Sequence, residues 1–184
     1  MLHAGLRLLE SPEGIYEAEW YPREMREAAL LAANRSKNAE ISERLVNMLE
    51  ATDISWQRDL LLGVIAADLS PGNDERIRKL LVSDTLMNHE IPIYLAARAT
   101  VPEGRDDLLE FVGENAVALL KWLDGDADIG VIQFADGFTT VQQANRLQTL
   151  MTPFLGATHG GVPQLKLTLE RIALHANMLA HIDG

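Results

Sequence analysis

Apolar residues recur along this chain at intervals of three and four. Leu108, Val112, Ala116, Leu119, Leu120 and Leu123 do so in one segment, and Leu165, Leu169, Ile172, Ala173, Ala176 and Leu179 in another. Such spacing gathers side chains on one face of an α-helix, so both segments predict amphipathic helices. Shorter segments follow the same rule: Ile41, Leu45, Met48 and Leu49, then Ile77, Leu80 and Leu81, then Leu147, Leu150, Met151 and Phe154. The run LLLGVIAADL, residues 60 to 69, is apolar on nearly every side, as expected of a helix covered by neighbours. No run shows the alternation of a half-buried strand.

Turn-forming residues divide these segments. SPEG at 11 to 14, SPGND at 70 to 74, VPEGR at 101 to 105, DGDAD at 124 to 128 and GATHGGVP at 156 to 163 read as links. Between them fall roughly eight or nine helices of about ten to twenty residues, which suits stacked helical hairpins better than a coiled coil. Thr140 followed by Gln143 fits a capping box and places a helix start just after Phe138. No strict repeat is visible in the letters. The expectation is an all-α chain forming a single helical-repeat domain over residues 1–184.

Length and composition bound the function. A chain of 184 residues is long enough for a real core, and 47% apolar with 23% charged residues is ordinary for a globular domain. The 16 Lys+Arg stand against 27 Asp+Glu, a formal net charge of −11 that no basic cluster offsets. A field of that sign repels phosphate backbones, and aromatic residues at 5% leave few platforms for base stacking. Nucleic acid is therefore not an expected partner. The absence of cysteine excludes disulfides, thiolate nucleophiles and Cys-based zinc sites, and is compatible with a cytoplasmic location. The N-terminal MLHAGLRLLESPEG has too short an apolar run for a signal peptide, and no later run reaches membrane-spanning length, so no membrane partner is expected.

The segment LMNHEIPIYLAARA, residues 86 to 99, carries the first two letters of a zinc-peptidase HExxH motif. His89 and Glu90 are present, but Ile93 stands where the second histidine ligand belongs, and Pro92 lies between the two positions. Proline is tolerated in a helix only in its opening turn. The segment therefore reads as a helix start capped by Asn88, not as a metal site. DGDADIG, residues 124 to 130, offers Asp124, Asp126 and Asp128 at calcium-loop positions. Ile129 replaces the loop glycine and Ala135 the bidentate glutamate, which favours a solvated turn whose aspartates cap the next helix.

His175 and His181 lie six residues apart on the last helix, a spacing that does not share a face, while His159 sits in a glycine loop and His3 near the terminus. No serine lies in a GxSxG elbow, and no Glu-x-x-His pair supports an enzyme built on carboxylates between helices. No catalytic or metal residue is expected in this chain. Arg58, Arg78 and Arg98 are the candidate substrate-binding residues, since a helical array with an acidic surface can use isolated arginines on its concave side to hold a carboxylate. An intramolecular ion pair is the plainer reading of each.

Three segments in order, EGRDDLLEFVGENAVALL (103 to 120), IQFADGFTTVQQANRLQTLMTPF (132 to 154) and QLKLTLERIALHANMLA (164 to 180), resemble the end of the C-terminal helical domain of M1 family zinc aminopeptidases. That family has a GR before a helix, an FTT or FAT helix start followed by a phenylalanine, and a closing Q.LE.I..N helix. The correspondence covers about residues 85 to 181; earlier helices fit in pattern alone. This chain departs from the family at the tryptophan near the end of the closing helix, where Leu179 or a neighbour stands, and at MNHE, an approximate counterpart of an Arg-plus-acidic segment.

The resemblance implies a right-handed superhelical array of antiparallel helix pairs, HEAT- or armadillo-like, that covers a catalytic domain and helps enclose a peptide chamber. The family's zinc ligands, general-base glutamate, catalytic tyrosine and GxMEN segment lie in an upstream domain. None is found in this chain, and Val112 stands where the third-ligand glutamate would fall after residue 93. The resulting expectation is a non-catalytic C-terminal domain, a fragment of a larger cytoplasmic zinc aminopeptidase. It would bind or select peptide substrates, hold no cofactor itself, and depend on zinc in the parent's catalytic domain. The alternative is a free-standing helical-repeat scaffold for a protein partner.

Overall fold

The computed structural model describes residues 1–10, 15, 20–36, 38–68, 71–83, 85–87, 89–121, 132, 134–157 and 161–182. Among them the chain is helical, with no strand. The helices are α1 (Leu2–Glu10), α2 (Arg26–Asn34), α3 (Ala39–Ala51), α4 (Ser55–Ile65), α5 (Pro71–Leu81), α6 (Glu90–Ala99), α7 (Arg105–Lys121), α8 (Val141–Met151) and α9 (Gly161–Ile182). Short 3-10 turns precede α2 and α7 and follow α8, and a further one spans Phe134–Gly137. No helix among the described residues is long and apolar enough to cross a membrane. The chain divides into two compact units, residues 1–80 and 81–184.

In the first unit, α1 packs on α2 at very short range because position 5 has no side chain. A Cβ on Gly5 would stand 2.1 Å from the Ala29 carbonyl oxygen and 2.8 Å from the Ala33 Cβ. Small residues at all three positions let the two backbones meet. Asn38 begins α3 by accepting the Glu40 N–H at 3.0 Å, and the apolar face Ile41, Leu45, Val46 and Leu49 is buried.

Buried polar groups then tie the helices together. Asn34, at the end of α2, donates to the Val64 carbonyl on α4 at 2.8 Å and accepts from the Ser42 hydroxyl on α3 at 3.1 Å. Arg76 on α5 reaches Glu50 and Asn47 on α3. The expected link SPGND is partly helix, since α5 begins at Pro71. Proline suits a first helical position, where its missing N–H has no intrahelical partner to lose.

In the second unit, α6 starts at Glu90 and carries Pro92 in its opening turn. Asn88, expected as the cap, lies outside the described residues; instead the buried Glu90 carboxylate accepts the Met87 N–H at 2.8 Å. α6 packs on α7 and on the Phe134–Gly137 turn, α7 on α8, and α8 on α9. Phe134 and Phe138 are buried edge-to-face, with centroids 5.6 Å apart. Thr140 caps α8 by accepting the Gln143 N–H at 3.1 Å, while the Gln143 side chain accepts the Thr139 N–H at 3.2 Å. This is a capping arrangement displaced by one residue from the usual reciprocal pair.

Candidate interaction surface

The most unusual element is α9. Its 22 residues make it about 33 Å long. Gly161, Leu165, Thr168 and Ile172 are buried and recur at helical spacing, so they form the stripe that faces the unit's interior. Polar contacts fix this stripe. Asp136, in the Phe134–Gly137 turn, accepts from the buried Thr168 hydroxyl at 2.9 Å and pairs with Arg171 one turn further along. His175 places Nδ1 3.3 Å from the Phe138 carbonyl oxygen and donates to it when that nitrogen carries the proton.

One further apolar row on α9 is not covered, and a groove opens beside the inward stripe. Leu167, Leu174 and Met178, at spacings of seven and four, share one face and are 42%, 59% and 56% exposed. On another side, Val162, Leu165, Leu169 and Ala173 line a groove with Leu155 and Thr152 of the turn after α8 and with Gln148 of α8. The groove has a volume of about 590 Å³, and Lys166 and Glu170 are its charged residues. Beyond Ala176 no described side chain of the helix is buried, although Leu179 continues the inward stripe.

A helix apolar around most of its circumference is ordinarily a covered helix. α9 is covered on one side. Removing Leu167, Leu174 and Met178 from water would contribute roughly 1.5–3 kcal/mol for each side chain fully buried. The exposed apolar area of α9 thus lies mainly on the Leu167, Leu174 and Met178 row.

The residues singled out in the sequence have other surroundings. Arg58 is 6% exposed and its guanidinium donates to the carbonyls of Leu49 and Thr52, at 2.9 and 3.0 Å, at the C-terminal end of α3. Arg78 pairs with Asp74 one turn back on α5, at 2.6 Å. Arg98, 2% exposed, lies 3.9 Å from Asp107. Arg58 and Arg78 belong to the first unit and Arg98 to the second. His89 is exposed, and His181 sits 2.7 Å from the Asn177 carbonyl within its own helix. Asp124, Asp126, Asp128 and His159 lie outside the described residues.

Sequence reasoning missed Arg105 and the outer row of α9. Arg105 donates to the Ala99 carbonyl at 2.8 Å and to Thr139 at 3.2 Å, joining the end of α6 to the approach to α8. For α9, the available signal was that Leu167, Leu174 and Met178 exceed what one amphipathic face requires. Set against known proteins, the sequence matches no family model and no curated protein.

Proposed function

We propose that this chain is a non-catalytic helical domain that works against another protein module, with the outer row and groove of α9 as the contact. The observation that carries the reading is the uncovered row Leu167, Leu174 and Met178, with the apolar groove beside it, on a helix already anchored by Asp136 and Ile172. The resemblance of the second unit's segments to M1 zinc aminopeptidases narrows the module. It would be the catalytic domain of such an enzyme, with this chain as the C-terminal helical array that closes one wall of its peptide chamber in the cytoplasm. Zinc and the water-activating groups belong to that other domain. The wider array would be a right-handed superhelix of antiparallel helix pairs.

The test is the size of the native polypeptide in source cells, read on a denaturing immunoblot with an antibody against this chain. A band several-fold heavier than 20.4 kDa is expected, and that parent should then show zinc-dependent aminopeptidase activity. Deleting the domain should weaken selection by peptide length more than turnover of a short chromogenic substrate. A band at 20.4 kDa overturns the accessory-domain reading and leaves a free-standing scaffold that uses the same surface.

A further inference from the structure

We draw no further inference here: the strongest candidate, the outer row Leu167, Leu174 and Met178 of α9 with the groove beside it, belongs to the surface already described, and nothing in the structure shows what covers it.

Discussion

The guanidinium of Arg58 donates to the main-chain carbonyl of Leu49 at 2.9 Å and serves as a C-terminal cap for α3. The last carbonyls of a helix have no intrahelical donor, and a cation beside them also meets the negative end of the helix dipole. Arg58→Met should therefore destabilise the domain by about 2–3 kcal/mol, because buried acceptors lose their donor. Arg58→Lys should recover only part of this, since one ammonium cannot reproduce the guanidinium fork. Urea unfolding of the two variants checks the order.

Gly5 is expected to tolerate no side chain. Gly5→Ala must push α1 off α2, because the atom it meets is the Ala29 backbone oxygen and not a flexible side-chain tip. The expected loss is about 1–3 kcal/mol. Trypsin should then cut after Arg7 in the variant faster than in the wild type, and equal rates would contradict the close packing.

Asp136 and Thr168 should prove coupled. Asp136→Asn and Thr168→Val each remove part of the clamp that holds α9 to the Phe134–Gly137 turn. Each should cost about 1–3 kcal/mol, and the double variant should cost less than their sum. Additive losses would mean that the two act separately.

Glu75 carries the pH signature of α5. Its hydrogen bond and charge attraction to Lys79 hold its carboxyl below the ordinary glutamate range. A folded-state pKa below the unfolded value adds stability at pH above the unfolded value, and that stability is lost as pH falls through the folded one. Both side chains are exposed, so the contribution is small. Lys79→Met should return the Glu75 titration, followed by NMR, to the ordinary range.

The uncovered row of α9 predicts a separation of stability from association. Leu174→Gln and Met178→Gln should each change the unfolding free energy of the isolated chain by less than about 0.5 kcal/mol. The same changes should lower the binding of a hydrophobic dye and abolish association with the partner module. A large loss of stability in the isolated chain would mean that these side chains are packed.

The helices themselves were legible because period and punctuation are local. Thr140 and Gln143 place the start of α8 through a contact three residues long, and Pro92 needs only its own ring to demand an opening turn. The arginines were not legible in the same way. Arg58 finds its carbonyls on the preceding helix, and Arg105 finds Ala99, only after the elements have packed. Period assigned α9 one inward face correctly at Leu165 and Ile172, but Ala173 and Leu179, which share that spacing, are exposed. Spacing says which residues lie together on a helix; it does not say where the body beneath them ends.

That boundary has a consequence for the last turns of α9. Past Ala176 the helix rests on its own hydrogen bonds, with no described side chain buried against the unit. Short helical stretches without packing open readily, so their amide protons should exchange with solvent far sooner than those around Ile172. The difference makes the segment a reporter on its own environment: the exchange of residues 177–182 should slow sharply when a partner covers the helix, whichever partner that is.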